Sequence, residues 1–347
     1  MKRLIKILSH KRPAGSKTEQ TIKHEMLLPY DPIFMYGNYV VAIPNKNGTR
    51  SNTLFSCHTD TVHSTEGTQK LVWDKLINTI KLDIPFREPM TLWQPGTVYT
   101  PRSRECLGAD DGAGMWLMME MIDAKVPGTY IFHHSEECGG LGSREMAKKA
   151  PEYLGKFKRA IAFDRRGTGD VINTQKGSRC CSDIFALELA GSLNDLGMTY
   201  KPTTGAFTDT ANYTHLIPEC TNLSCGYYNE HGDREYLDVD HLIKLRNALI
   251  LLDWNNLPTT RNPKYVEPVL KSQYFGYTCN DDNSWLDRQN SKVPANKPEL
   301  VEDWEWDELE MLTIEELEKL AWNDPDGVAN ILFTLLHPEF DDNSDEI

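Results

Sequence analysis

The spacing of hydrophobic residues changes several times along this chain. Short β-branched or aromatic runs predict buried strands at residues 39–43, 53–57, 129–133 and 159–163. Apolar residues three or four positions apart predict helical segments near the N-terminus and later helices over residues 113–123, 143–150, 182–196 and 239–255. Strands that alternate with helices predict an α/β fold with a mostly parallel central sheet and helices on both of its faces.

The same pattern predicts three parts of the chain. Residues 1–257 carry the α/β pattern and predict a single catalytic domain. Residues 258–298 are rich in Pro, Asn, Asp and Lys and lack periodicity, which predicts an irregular connection. Residues 299–347 return to helical spacing and predict an acidic helical C-terminal segment with a frayed tail.

Charge is concentrated in that last part. The whole chain has 37 basic and 51 acidic residues, a net charge of −14. Residues 299–347 hold 17 acidic residues and one basic residue, so they carry −16 and the rest of the chain carries +2. The acidic segment is a candidate contact for a protein partner or for another copy of the chain, or a helix that packs on itself; its charge selects none of these.

Composition excludes several other classes. A nucleic-acid-binding protein shows a basic face, and the only short cluster here consists of five N-terminal residues that we interpret as the solvent-facing side of the first helix: Lys2, Arg3, Lys6, Lys11 and Arg12. No apolar run reaches the ~20 residues that span a membrane. Eight cysteines without a Cys-x-x-Cys pair, in a chain whose first apolar run is interrupted by a lysine, predict reduced thiols and a cytoplasmic location.

Side chains able to bind a metal follow three of the predicted strands, the glycine-rich turn that enters the predicted helix 113–123, and the apolar segment 221–227. Seven of them stand out: His58, Asp60, Asp110, Glu136, Glu137, Asp164 and His231. Ligand sites in open α/β sheets form outside the carboxyl ends of the strands, so we expect these side chains to converge. Two imidazoles and three carboxylates at one point suit zinc, or manganese or cobalt.

The order of the motifs resembles a known group of enzymes. The motifs are His58-Thr-Asp-Thr-Val-His63, Leu107-Gly-Ala-Asp-Asp-Gly-Ala-Gly114, Ser135-Glu-Glu-Cys-Gly-Gly-Leu-Gly-Ser143, Phe163-Asp164, Thr208-Asp-Thr210 and His231 with Glu235 after it. This order is similar to that of the co-catalytic dizinc exopeptidases, which include zinc aminopeptidases, tripeptidase T, carboxypeptidase G and aminoacylase. The resemblance covers approximately residues 1–257.

The resemblance implies two divalent metal ions, most simply zinc, held by five side chains. Asp110 would bridge the ions and form a cis peptide bond with Asp111. The ligand sets that it implies are His58, Asp110 and Asp164 for one ion, and Asp110, Glu137 and His231 for the other.

The resemblance also implies roles for residues that bind no metal. Asp60 would orient His58, and Glu136 would take a proton from the attacking water and return it to the leaving amine. Two further candidates come from their positions and not from the resemblance. Asp209 is a candidate for supporting the ligands or for holding a substrate amine, with a simple Asp turn as the alternative. Arg165 is a candidate for holding a substrate carboxylate, with a solvent-exposed strand end as the alternative. Two adjacent glutamates with different tasks agree with the chemistry of a two-metal site, where a free carboxylate moves the proton.

One departure concerns the lid domain that some of these relatives insert between the fourth and fifth ligands. Only 67 positions separate Asp164 from His231, which leaves room for a helix, a loop and a strand. The sequence therefore predicts a compact, lidless enzyme.

Three functions follow from the sequence. The first is a metal-dependent exopeptidase, in particular an aminopeptidase acting on short peptides. The second is an amidohydrolase that removes an acyl group from an amino acid, and the same metal chemistry would serve it. The third is a binding scaffold without activity, against which the retention of Glu136 and of all five candidate ligands argues.

Overall fold

The computed structural model describes residues 1–83 and 105–265. All of them belong to one unit of the chain, Met1–Leu270. Residues 258–265, where the predicted irregular connection begins, contain no helix or strand. The remainder of that connection and the predicted acidic helical segment, residues 299–347, lie outside the described residues. In the described ranges, no helix has the length and apolar character needed to cross a membrane.

Helices lie close to their predicted positions. The seven α-helices of the described residues are α1 Lys2–Leu8, α2 Lys17–Leu27, α3 Ala109–Asp123, α4 Leu141–Lys149, α5 Pro151–Leu154, α6 Asp183–Asp195 and α7 Val239–Leu251. Ser16, Ser182 and Asp238 begin α2, α6 and α7, because each side chain accepts a hydrogen bond from a backbone N–H in the first turn. Two 3-10 helices cover Leu28–Tyr30 and Asp209–Tyr213.

Strands are more numerous than the sequence predicts. The described strands are β1 His10–Lys11, β2 Ile33–Met35, β3 Asn38–Ile43, β4 Thr53–His58, β5 Gly67–Thr68, β6 Leu71–Asp74, β7 Thr79–Leu82, β8 Gly128–His133, β9 Arg159–Arg165, β10 Asp170–Gln175, β11 Ser178–Arg179, β12 Lys201–Gly205, β13 Glu219–Ser224, β14 Tyr227–Tyr228 and β15 Tyr236–Asp238. The four predicted strands correspond to β3, β4, β8 and β9. Between Asp164 and His231 we expected a single strand, which corresponds to β13. Strands β10, β11, β12 and β14 are additions there.

The central sheet has nine strands in the order β11-β10-β13-β9-β4-β8-β3-β2, with β12 paired to β10. Its four middle strands, β13, β9, β4 and β8, are parallel. Antiparallel pairing occurs on both sides of them, through β3 and β2 on one side and β10 on the other. The predicted α/β fold is therefore confirmed, with a sheet that is mixed at its edges.

Helices cover both faces of this sheet. Alternate residues of a strand point to opposite faces, and accordingly Phe55 and Leu54 of β4 belong to different hydrophobic clusters. The cluster around Phe55 includes the buried hydrophobic residues of α1, α3, α6 and α7. The cluster around Leu54 includes Met146 of α4 and Leu154 of α5. A separate four-stranded antiparallel sheet has the order β14-β15-β7-β6.

The interpretation of the basic N-terminal cluster is wrong for Lys11, which lies in β1, and for Arg12. Helix α1 ends at Leu8, so Arg12 lies beyond it and not on its solvent-facing side. Its side chain is fully buried, with 0% exposure, and donates hydrogen bonds to backbone carbonyls. Periodicity alone could not reveal this, because the helix ends before the basic run does.

Phe55 offers a test of the two-sided core. It is fully buried, and its ring centroid lies 4.9 Å from that of Tyr130, 5.9 Å from Phe163 and 4.8 Å from Trp254. We expect Phe55→Ala to lower the free energy of unfolding by about 3–5 kcal/mol, because it removes these contacts and leaves a cavity. Urea denaturation measures the change. Phe34→Ala is the control, since Phe34 is 57% exposed on edge strand β2; an equal loss in both variants would contradict the placement of Phe55.

Candidate metal centre

Three neighbouring parallel strands bring the first group of polar side chains together. His58 is the last residue of β4 and pairs in register with His133 at the end of β8. Asp164 lies near the end of β9, on the other side of β4. Glu136 and Glu137 follow β8 directly. The predicted convergence of these residues at one edge of the sheet is thus present in the structure.

Asp110 reaches the same edge from the start of α3. Asp110 and Asp111 have non-helical backbone angles within α3, and the peptide bond between them is cis, as the resemblance implied. The Asp111 carboxylate accepts from the backbone N–H groups of His58 at 3.1 Å and of Gly114 at 3.0 Å. A Cβ at Gly114 would lie 2.4 Å from both Asp111 Oδ1 and the Phe163 carbonyl, so only glycine fits there.

His231 arrives from the small sheet. It lies in the turn between β14 and β15, in the left-handed conformation with φ of 62°. Its side chain is 51% exposed, whereas that of His58 is 1% exposed. The two imidazoles therefore approach the Asp110 carboxylate from opposite environments, His58 from the core and His231 from the surface.

The side chains form two groups that share Asp110. In the first, His58 Nε2 lies 3.1 Å from Asp110 Oδ1 and 3.6 Å from Asp164 Oδ1. In the second, His231 Nε2 lies 3.3 Å from Asp110 Oδ2 and 3.2 Å from Glu137 Oε1. The potential ligand atoms of each group all lie within 4.8 Å of one another. The two oxygens of one carboxylate thus face two separate sets of donors.

The donor chemistry fits a divalent cation in each group. Each group offers one imidazole nitrogen and two carboxylates, a combination that zinc accepts. Glu137 Oε1 is buried without a hydrogen-bond partner among the described residues, although His231 Nε2 is 3.2 Å away, because that contact lacks hydrogen-bond geometry. A buried carboxylate oxygen without a donor is costly, and a cation would satisfy it.

The pKa shifts of the clustered side chains also favour a bound cation. Burial, together with repulsion from Asp164, Asp209 and Glu137, raises the pKa of Glu136 to about 10. Burial and repulsion from Asp110 raise the pKa of Asp164 to about 6. The Asp110 and Glu137 carboxylates, 3.3 Å and 3.2 Å from its Nε2, raise the pKa of His231 to about 11. The cluster therefore contains more buried carboxylates than its two imidazoles can neutralise, and it favours additional positive charge.

Glu136 and Asp60 lie beside the two groups without belonging to either. Glu136 Oε2 is 4.0 Å from His58 Nε2. The ring nitrogen His58 Nδ1 contacts the backbone carbonyl of Asp60 at 3.0 Å, while the Asp60 carboxylate is 3.6 Å away. That carboxylate instead accepts from the backbone N–H groups of Glu136 at 3.1 Å and Glu137 at 3.2 Å. Asp60 thus contacts the segments of three site residues.

The two candidate substrate residues differ in their surroundings. Asp209 is buried, and its Oδ1 has no hydrogen-bond partner in the described part of the chain. Burial raises its pKa to about 8, with repulsion from Asp164 and Asp60 adding to the effect. Arg165 is partly exposed, and its Nε donates to Asp170 at 3.0 Å. One carboxylate oxygen of Asp209 therefore lacks a partner among the described residues, while Arg165 already has a carboxylate partner.

Sequence reasoning missed the residues that hold Asp164. The Asn222 side chain accepts from the Asp164 N–H and donates to the Asp164 carbonyl, and the Tyr227 hydroxyl donates to Asp164 Oδ1 at 3.2 Å. Both lie in the apolar segment 221–227, where nothing in the pattern distinguishes them. His241 does not enter either group; it lies in α7 and contacts the Tyr200 hydroxyl at 3.1 Å.

The chain was compared with protein-family models, with curated protein sequences and with solved structures. No protein-family model and no curated protein sequence matches the chain. Solved structures that are similar to it include three peptidases. The aminopeptidase PepT from Bacillus cereus is 13% identical, with 72% of this chain and 96% of that chain covered and a TM-score of 0.55. A tripeptidase from Staphylococcus aureus is 14% identical, with the same coverage and a TM-score of 0.55.

The third structure is an aminopeptidase from the archaeon Desulfurococcus kamchatkensis. It is 13% identical, with 79% of this chain and 98% of that chain covered and a TM-score of 0.52. At such low identity a likeness establishes the fold alone. The chain therefore has the α/β fold found in these aminopeptidases, and the fold implied by the order of its motifs is confirmed.

Proposed function

We propose that this chain is a metal-dependent exopeptidase, and specifically an aminopeptidase that acts on short peptides. The observation that carries the proposal is the pair of donor groups around Asp110, each with one imidazole and two carboxylates. The fold shared with solved aminopeptidases supports it. An amidohydrolase that deacylates amino acids is the alternative, because it would use the same groups.

We assign the ligands as the motifs imply. One divalent cation would be held by His58, Asp110 and Asp164, and the other by Asp110, Glu137 and His231. Zinc is the expected ion, since imidazole and carboxylate donors suit it. When bound there, a pair of such ions lowers the pKa of a shared water and polarises the substrate carbonyl.

Glu136 is our assignment for the general base. It lies beside the first group and 4.0 Å from His58 Nε2, so it is close enough to reach a water held between the groups. Its carboxylate takes a proton from the attacking water and then gives it to the leaving amine. Asp60 positions this carboxylate indirectly, through the backbone N–H of Glu136, and it also contacts His58.

Asp209 and Arg165 are proposed to select the substrate. A buried carboxylate with an unpartnered oxygen suits a substrate ammonium group, which would supply both the missing donor and a positive charge. Arg165 would have to exchange its contact with Asp170 for a substrate carboxylate.

A partner or oligomer contact through residues 299–347, and the cytoplasmic location, stay predictions from the sequence.

Metal binding gives the first test. The pKa of His231 is about 11 without a cation, and hydrogen bonds to Asp110 and Asp164 outweigh burial and raise that of His58, so bound protons compete with the metal. Metal-free protein should bind two Co²⁺ ions per chain, release protons on binding, and bind more tightly as the pH rises from about 6 to about 8. Calorimetric titration in two buffers of different ionisation enthalpy measures all three.

His231→Ala should lose one of the two ions, and His24→Ala, at an exposed position on α2, should keep both. Binding that weakens with rising pH over this range would contradict the assignment of the imidazoles as ligands.

Adjacent glutamates provide the second test. Glu136→Gln should keep both ions but lower the turnover number by about 10²–10⁴-fold, because an amide cannot carry the proton. Glu137→Ala should lose one ion together with activity. Hydrolysis of an aminoacyl p-nitroanilide and metal analysis of the purified protein measure the two effects. Glu145→Gln, on the exposed surface of α4, is the control; full activity in Glu136→Gln would overturn the role of that residue.

The third test separates aminopeptidase from deacylase. If Asp209 holds a substrate ammonium, Asp209→Asn should raise the KM for aminoacyl p-nitroanilides by at least about tenfold. It should leave the metal content unchanged. Asp195→Asn, at an exposed position on α6, is the control. Wild-type protein that hydrolyses N-acetyl amino acids and leaves aminoacyl anilides intact would favour the deacylase.

A further inference from the structure

Arg12 is a buried cation that is held by backbone carbonyls. It has 0% exposure and forms no ion pair with any described residue. Its Nε donates to the Thr59 carbonyl at 3.0 Å and its Nη2 to the Gly108 carbonyl at 2.9 Å. Its Nη1 donates to the carbonyls of Ile7 at 2.7 Å and His10 at 3.2 Å. One planar group therefore joins three segments that are distant in sequence.

Two of these segments carry proposed metal ligands. Thr59 directly follows His58, and Gly108 lies two residues before Asp110. The backbone of Arg12 adds a second connection to the first segment, because its carbonyl accepts from Thr61 N–H at 2.8 Å. The guanidinium thus fixes the distance between the backbone that presents His58 and the backbone that presents Asp110.

The turn before Asp110 is shaped to receive this side chain. Gly108 has φ of +70°, and a Cβ at Gly112 would lie 3.2 Å from Arg12 Nη2. On the other side of the turn, the buried Glu235 carboxylate accepts from Gly108 N–H at 2.9 Å and from Asp110 N–H at 3.0 Å. Gly108 is therefore held at its carbonyl by Arg12 and at its N–H by Glu235.

A fully buried guanidinium is a costly way to stabilise a fold. A buried charge costs free energy unless it is fully hydrogen-bonded, and replacing buried charged groups by apolar residues of similar volume is often neutral or stabilising. Burial also lowers the pKa of Arg12, which shows that its environment disfavours the charge. A geometric requirement of the site gives a reason to retain a guanidinium here.

We propose that Arg12 is a positioning residue for the metal centre: it sets the spacing between His58 and Asp110 and thereby the affinity of the first donor group for its cation. This inference rests on the proposed function, since it presumes that the two groups bind metal. Residues that orient ligands from outside a metal site commonly change its affinity by about 10–100-fold when they are replaced.

Arg159 provides a matched control. It is also buried, at 2% exposure, and donates to backbone carbonyls, those of Trp254 at 2.6 Å and Leu257 at 2.5 Å. It is the first residue of β9, at the opposite end of the strand from Asp164. Its removal therefore tests the effect of losing a buried guanidinium without disturbing the ligand segments.

The experiment titrates Co²⁺ into metal-free protein and follows visible absorption, with the free energy of unfolding measured for each variant. Arg12→Met should weaken binding of the affected ion by at least about tenfold. Arg12→Lys should lie between wild type and Arg12→Met, because an ammonium lacks the planar fork. Arg159→Met should bind Co²⁺ as the wild type does, whatever its stability.

Wild-type affinity in Arg12→Met overturns the inference, and so does an equal loss in Arg159→Met, which would indicate a general effect of destabilisation. If Arg12→Met does not fold, Arg12→Lys decides, and unchanged affinity in that variant overturns the inference. Wild-type protein that binds no Co²⁺ overturns the proposed function and this inference with it. If the wild type binds Co²⁺ and the Arg12 variants bind it with the same affinity, this inference is overturned and the proposed function stands.

Discussion

Repulsion among buried carboxylates is the constraint on which the rest of this structure depends. Asp110, Glu136, Glu137 and Asp164 lie around two imidazoles at one edge of the sheet. Burial is the largest cause of the raised pKa of Glu136, and repulsion from neighbouring carboxylates raises it further. A cluster of this kind persists only if the backbone holds the groups together and a positive charge compensates them. Both requirements shape the surroundings of the site.

Backbone support comes from three carboxylates outside the two donor groups. Asp60 accepts from the N–H groups of Glu136 and Glu137, Asp111 from those of His58 and Gly114, and Glu235 from those of Gly108 and Asp110. Each uses its two oxygens on two backbone N–H groups of segments that carry proposed ligands. These carboxylates therefore fix the positions of the ligands through the main chain, which leaves the ligand side chains free to face one another.

Sequence was sufficient for the fold class because its signals are local. The buried strands around Phe55 and Ile161 are short β-branched or aromatic runs, and the ligands follow them at the strand ends. Strand β10 escaped prediction because Asp170–Gln175 contains only two apolar residues, Val171 and Ile172, which are adjacent and do not alternate with polar ones. Arg12 was misplaced for another reason: its acceptors are backbone carbonyls, and these carry no residue identity that a sequence could display. The pattern of residue types along the sequence therefore does not predict tertiary hydrogen bonds to the main chain around the site.

The two donor groups are chemically alike but differ in exposure, so one side of the site is accessible from solvent and the other is buried. His58 ends a central strand and is 1% exposed, whereas His231 lies in a surface turn and is 51% exposed. A molecule that approaches from solvent therefore meets His231 before it meets His58. On the core side, the Tyr227 hydroxyl, Asn222 and Asp111 occupy the space around the first group. The second group is consequently the side of the site that is more accessible from solvent, while the first group is fixed in place by the central sheet.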